Sequence, residues 1–342
     1  MKSSAIDILR RTKRALTAFF ARLSLRREAA RAFRYDREQF LAHAGALHLD
    51  RRAAARAEIV MGYHVLEKGL TMPRRRLGFG KGAVVHLMNL ITSFERRFGK
   101  DDRQVCHAVG VLRAYAELHG IPGDSGISCD PKISGALAKF LAEHEGVPAA
   151  LEPHVTREEF FAAKDAAFPA FAASRHVVRH FAGPVPRETI EKAVALATTA
   201  PSACNRQHAR VHVIADPALR DRLFALQGGA RGFGDAADKI LVVTADLSAV
   251  RWAWERHDCY VNGGIFVMNL CYALHHLGVA HCILHWSVSP EADRTAHGIL
   301  GIPSNEAIVQ VIACGMPPEE FDVAASPRLA ASEVVAWHGD GK

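Results

Sequence analysis

"APSACNRQHARVHVIA", residues Ala200–Ala215, decides how the second half of the chain is read. Its first eight residues carry proline, serine, asparagine and glutamine, turn chemistry that ends the alanine-rich helical run before it. From Val211 to Ala215 the pattern becomes that of a strand. A plain loop can join a helix to a strand, yet Ser202, Asn205 and Gln207 put hydrogen-bonding side chains on this turn.

Outward from this point, helices and short apolar strands interleave. Pro186 and Glu188 open a helix that runs to about Thr199. Beyond the turn follow a strand at 211–215, a helix at 217–226, a strand at 240–244, a long apolar helix at 254–277 and strands at 280–284 and 307–314. That order implies an α/β layering with a sheet buried on both faces. The stretch between Asp258 and Glu291 holds no Asp, Glu, Lys or Arg, but it carries Asn262, Asn269 and four histidines and breaks at Gly278. A buried helix followed by a strand fits it better than a membrane span.

The first 150 residues are different. Helical periodicity recurs from the start to about Ala46, then near 53–66, 84–98, 104–119 and 133–143, with "HGIPGDSGISCDP" as a loop. The composition suits a soluble globular protein, and 342 residues are enough for about two domains. Three consecutive segments are expected: a basic amphipathic helix at 1–46, a helical region at 47–155 and a domain at 156–335.

The net charge of +7 belongs to one end, because residues 1–34 carry +8 and everything else about −1. The body therefore offers no general surface for nucleic acid. The N-terminal helix sets Leu9, Leu16, Phe19, Phe20 and Leu23 against arginines, a pattern that lies on an anionic membrane surface or packs on the helical region. No secretory signal stands out, since charges interrupt the N-terminal apolar residues. The seven cysteines are odd in number, lack CxxC spacing and mostly sit in apolar runs, as buried reduced thiols of a cytoplasmic protein do.

Three separated segments together resemble the nitroreductase family of flavin enzymes. "SRHVVRHF" (174–181) is similar to the family's Arg-(Arg/His)-Ser-x-Arg element, and "APSACNRQ" (200–207) to Ala-Pro-Ser-x-x-Asn-x-Gln. The tail segments "GGIFVMNLCYALHHLGVAHCIL", "IVQVIACGMP" and "SPR" follow in the family's order, so that the likeness covers roughly 170–330. The fold class implied is α+β with α/β layering: a nitroreductase-like fold with a central mixed sheet flanked by helices, preceded by an all-helical N-terminal region.

The residue chemistry agrees with that resemblance. Arg175, His176 and Arg179 cluster where helix gives way to extended chain, and guanidiniums suit a phosphate through charge-assisted, partly bidentate hydrogen bonds. The resemblance implies that Arg175 and Arg179 bind FMN, that His176 and the backbone of Val177 line the same pocket, and that Arg328 returns to the phosphate end. It further implies that Pro201, Ser202, Asn205 and Gln207 meet the flavin edge, largely on the flavin of a second subunit, hence a homodimer. Leu284 and His285 fall beside the ring, and His208 and Trp286 border the substrate. No protein group acts as catalyst, because the flavin carries the chemistry, with NADH or NADPH as donor and a small organic acceptor in a ping-pong cycle.

Three departures stand out. The family's serine is Val177 here, its Pro-Trp after the glutamine is His208-Ala209, and its Glu-Gly pair beside the ring is replaced within Leu284-His285-Trp286. The losses at Val177 and Ala209, with a "YHVLEKGL" element (63–70) that resembles helical extensions of nitroreductase-like proteins of bacterial polysaccharide machinery, suit a rival: a catalytically weak flavin-binding or scaffold protein, peripheral at the inner membrane surface. "GGARGFG" (228–234) lacks a phosphate-loop register and reads as a pocket-edge loop. His281 and Cys282 point to opposite faces of a strand, against a metal site.

Overall fold

The computed structural model describes residues 2–121, 131–150 and 153–339, so most of the loop at 119–131 and Cys129 lie outside the described residues. Helices α1 (Lys2–His43), α2 (Arg52–Leu70), α3 (Lys81–Phe98), α4 (Arg103–Leu118) and α5 (Pro131–Ala142) come first. They are followed by β1 (His154–Thr156), α6 (Arg157–Phe161), α7 (Phe168–Ser174), α8 (Arg187–Ala197), β2 (Ala209–Ile214), α9 (Pro217–Gln227) and β3 (Lys239–Asp246). Then come α10 (Asp258–His276), β4 (Ala280–His285), α11 (Pro290–Leu300), β5 (Glu306–Gly315), β6 (Glu320–Asp322) and α12 (Ala331–Val334). The fold class is α+β with an all-helical first part.

The chain divides into two compact units, each drawn from separated stretches. Residues 1–47 and 184–315 form one, and 48–183 and 316–342 the other. This differs from the three consecutive segments that composition suggests, because packing joins stretches far apart in sequence.

In the unit of 1–47 and 184–315 the sheet runs in the order β2-β3-β5-β4. The sequence points to a mixed sheet, but every pair of these four strands is antiparallel. The continuous apolar run of β3 reflects its central position: Ile240 to Ala245 are all buried, and a strand covered on both faces needs apolar residues on both. Helix α10 packs on the sheet and on α8. Gly263 permits this approach, since a Cβ there would lie 2.7 Å from a methyl of Val309 on β5. Asn269 caps α8, its side-chain amide reaching the carbonyls of Leu196 (3.1 Å) and Ala197 (3.3 Å) and the Thr199 hydroxyl (3.0 Å).

The sequence reads 254–277 as a fully buried helix, whereas α10 begins at Asp258 and keeps one side open. Tyr260, Val261 and Ile265 are exposed there. At the N-terminal end, the Asp36 carboxylate of α1 bridges to the Arg256 guanidinium (2.6 and 2.5 Å) and to His257 (3.1 Å). Leu16, Phe19 and Phe20 on α1 are all more than half exposed.

The other unit centres on α2, α3, α4 and α5. Ile59, Leu66, Leu87, Ile91, Val105 and Leu112 are wholly buried between them, each contributing about 1.5–3 kcal/mol. Strands β1 and β6 pair antiparallel, so the segment after Gly315 returns to this unit. Thr156 and Glu159 form a reciprocal cap that opens α6.

Candidate functional site

The turn at 200–207 is strained. Cys204 (φ 51°), Asn205 (φ 53°) and Gln207 (φ 51°) all occupy the left-handed region. Each such non-glycine residue costs on the order of 1–3 kcal/mol and persists only where its surroundings over-determine it. Here they do. The Gln207 backbone N–H donates to the Ser202 hydroxyl (2.9 Å), the Asn205 N–H to the Ser202 carbonyl (2.9 Å), and the Ala203 N–H to the Asn262 side-chain carbonyl on α10 (3.1 Å).

Arg206 supplies the strongest restraint. Its guanidinium donates to both Glu255 oxygens (2.9 Å each), to Asp258 (3.1 Å) and to the Ala249 carbonyl (2.9 Å). Hydrogen bonding from Arg206 leads the causes that hold the Glu255 carboxyl down at about 2. Arg206 and Asn262 restrain the turn in a way that sequence reasoning misses, because their partners lie 49 and 59 residues away.

A small pocket, partly open to solvent, is lined by Pro201, Ser202, Gln207, His208, Asn262 and Phe266 among others. Two atoms of this lining are buried without a hydrogen-bond partner, Nδ2 of Asn262 and Nε2 of His208. Buried polar atoms are nearly always satisfied in native proteins, so such atoms beside a cavity point to a ligand with matching groups. Burial, and then the charge of Arg206, lowers the His208 imidazole, which favours a neutral ring.

The arginine cluster belongs to the unit of 48–183 and 316–342. Arg175 caps the end of α7, and its Nε and Nη1 are buried with no acceptor. A guanidinium with two orphaned donors fits a phosphate or another oxyanion. His176 stands between charges: burial lowers its pKa first, then Arg175 and Arg328, while its ring hydrogen-bonds to the backbone of Ala173 and Ala324. The structure therefore brings Arg175, His176 and Arg328 together, with Val177 half-buried beside them and Arg179 9% exposed. His180 is anchored to the Thr71 carbonyl at 2.7 Å and is lowered by burial.

Arg328 lies just after Ser326, whose φ of 40° is again left-handed, and donates to the Ser326 carbonyl. All non-glycine residues with positive φ among the described residues thus fall on the two segments singled out by sequence, 200–207 and 326–328.

The remaining candidates lie elsewhere. Leu284 is buried in β4, the exposed His285 accepts at its carbonyl from Gln227 (3.0 Å), and the Trp286 indole N–H donates to Asp293 (2.7 Å). None of these three lines the pocket beside the turn, and neither does the glycine-rich 228–234 segment, where left-handed Gly228 ends α9. The cysteines divide: Cys259, Cys271, Cys282 and Cys314 are buried, but Cys106 and Cys204 are exposed, the latter because the strained turn projects it outward.

Comparison with known proteins agrees with the motif reading over part of the chain. Residues 172–230 match the sequence family described as the nitroreductase family. Among solved structures, an NADPH:FMN oxidoreductase from Vibrio harveyi is 20% identical, over 49% of this chain and 75% of that one, with a TM-score of 0.44. A nitroreductase family protein from Clostridium difficile 630 is 20% identical over 50% and 98%, with a TM-score of 0.42. An FMN-dependent nitroreductase from Clostridium difficile R20291 is 20% identical over 48% and 92%, with a TM-score of 0.40. At such scores the likenesses carry no inference about chemistry. Among curated proteins none matches the chain. Among the described residues no helix is long and apolar enough to cross a membrane.

Proposed function

We propose that this chain, which carries a nitroreductase-family segment at 172–230, is an FMN-dependent oxidoreductase that moves electrons from NADH or NADPH to a small organic acceptor. The observation that carries the reading is the pair of orphaned, buried guanidinium nitrogens of Arg175, set beside His176 and Arg328. They fit the phosphate of FMN.

When bound, the flavin supplies the hydride chemistry, and the protein's residues bind and orient it. Arg175, Arg179 and Arg328 hold the phosphate end within the 156–335 domain. A neutral His176 adds shape and hydrogen bonding without a third full charge. Pro201, Ser202, Asn205 and Gln207 meet the flavin edge of a second copy in a homodimer, and the hydrogen bonds that restrain that turn keep their side chains fixed. Asn262 and His208 offer unsatisfied polar atoms at the same pocket. Leu284 and His285 approach the ring and Trp286 borders the acceptor. Donor and acceptor use one space in turn, hence ping-pong kinetics.

The decisive experiment is purification. The protein is expected to be yellow and to release FMN on denaturation at close to one per chain, with stopped-flow reduction by NADH or NADPH. A colourless chain that FMN cannot reconstitute rules the reading out.

One observation favours a second role beside the first. Leu16, Phe19 and Phe20 stay exposed on a helix rich in arginine, which suits a cytoplasmic protein held at an anionic inner-membrane surface through residues 1–34. A scaffold at a membrane-bound assembly, possessing flavin but little turnover, is the form this takes if reduction proves slow.

A further inference from the structure

Glu67 lies on α2 in the helical core, fully buried, where an apolar side chain would pack without any need for partners. Its carboxylate is instead gathered into a polar cluster. Oε1 meets His107 Nε2 on α4 at 2.7 Å, and Oε2 meets His64 Nδ1 at 3.4 Å. The same Oε1 accepts the backbone N–H of Ser326 at 3.4 Å, from a segment 259 residues away. One turn further, Tyr63 donates to Gln104 (2.7 Å), and the Gln104 amide reaches the Pro327 carbonyl (3.5 Å).

Two of these ties, from Glu67 and from Gln104, converge on one short arm. Ser326 is held by Glu67 and Pro327 by Gln104, while Arg328 folds back on the Ser326 carbonyl. Ser326 also sits at a φ of 40°, a conformation that a serine keeps only under external restraint. A buried acid that merely filled the helical core would have no reason to spend a lone pair on this backbone.

We infer that Glu67 is a positioning residue: by gripping the Ser326 backbone from within the helical region, its carboxylate places Arg328 to hold a phosphate-bearing ligand. The inference rests on the flavin mononucleotide reading for the identity of that ligand, whereas the anchoring itself concerns this chain alone. It also gives the helical part a task in cofactor binding.

The test uses the full chain and FMN and riboflavin as probes. Glu67→Gln is expected to weaken FMN by about tenfold, the loss of one charged hydrogen bond, while riboflavin changes by less than about twofold. In an Arg328→Ala background the same substitution is expected to add less than about twofold, since both act through one arm. Without flavin, hydrogen exchange at the Ser326 amide is expected to speed about tenfold more than at the amides of α2 and α4. Gln104→Ala, which leaves the acid in place, gives a milder version of the same pattern should Glu67→Gln fold poorly. Equal weakening of FMN and riboflavin, full additivity with Arg328→Ala, or an unchanged Ser326 amide overturns the inference. If the wild-type chain binds no FMN but the Ser326 amide still loses protection in Glu67→Gln, the anchoring stands and the flavin reading is what fails.

Discussion

Arg206 and Glu255 face each other in a two-bond fork, both contacts at 2.9 Å, and that fork pins a turn whose backbone would otherwise relax. Arg206→Ala is expected to free Cys204, Asn205 and Gln207 from their left-handed conformations and to blur the position of their side chains. Misplacing such groups by about 1 Å costs on the order of a hundredfold in turnover. Steady-state kinetics check this, and Arg206→Lys should not restore activity, because an ammonium cannot form the fork. Full activity in either variant would mean that the turn does not meet the cofactor.

Arg175 carries opposite expectations for the empty and the loaded protein. Its orphaned nitrogens cost desolvation when no anion is present, so Arg175→Ala should leave the flavin-free chain equally or more stable. The same substitution should weaken FMN by about 2–3 kcal/mol and riboflavin far less. Thermal denaturation and flavin titration measure the two sides. Equal losses for both flavins would show that Arg175 does not see the phosphate.

Acid should act through Glu67 in a defined window. Burial raises its carboxyl, but hydrogen bonds and charge from His107 and His64 outweigh that and hold it at about 2, below its ordinary 4.5. A depressed folded-state value means stability that is complete above the ordinary value and lost as the pH falls toward 2. The unfolding free energies of wild type and Glu67→Gln, of order 2–4 kcal/mol apart near neutral pH, should therefore converge between pH 4.5 and 2. Denaturant titrations across that range decide it; a constant gap would show that Glu67 does not titrate there.

Ile265 reports on assembly. It lies on the open side of α10 with Tyr260 and Val261, whereas Asn269 on the same helix is committed to capping α8. Ile265→Glu should dissociate a homodimer, since an unpaired charge in a buried interface costs on the order of 3–5 kcal/mol. Light scattering gives the mass, and absorbance shows whether flavin leaves with it. A monomeric wild type, or an Ile265→Glu dimer, would place the interface elsewhere.

For α1, vesicle sedimentation is the measurement. The full chain should bind anionic but not neutral liposomes and release in high salt, with roughly 1 kcal/mol from each basic residue near the lipid. Deleting residues 1–34 should abolish binding and leave the flavin in place. Binding that survives the deletion would assign the arginines to solvent.

Much of the fold was open to reading because its signals are local. Alternation and apolar runs mark β2, β3, β4 and β5, and the 3.6-residue period marks α2 to α5. Helix α11 has few large apolar residues to mark its period, although Ser289-Pro290-Glu291 and Gly301 frame it with standard cap chemistry. Strands β1 and β6 have three residues each and gain their identity only by pairing across the chain, which no window of sequence reveals. The sheet's antiparallel pairing was hidden for a related reason: full burial of β3 mimics the continuous apolar pattern of a parallel strand. Among the proposed site residues, short motifs mark Arg175, Ser202, Gln207 and Arg328. Arg206, Asn262 and Glu67 could not be found that way, because what gives each its task is a partner far along the chain.

The bond between Asp36 and Arg256 spans 220 residues, and that separation sets a schedule during synthesis. At about 5–20 residues per second, roughly ten to forty seconds pass between the emergence of the acid and that of its arginine. Throughout that interval α1 is already outside the ribosome, while the sheet of its own unit is still incomplete. The nascent chain thus presents a basic helix with bare leucine and phenylalanine side chains long before folding can claim it, and whatever surface meets it first, lipid or chaperone, does so without competition from the finished protein.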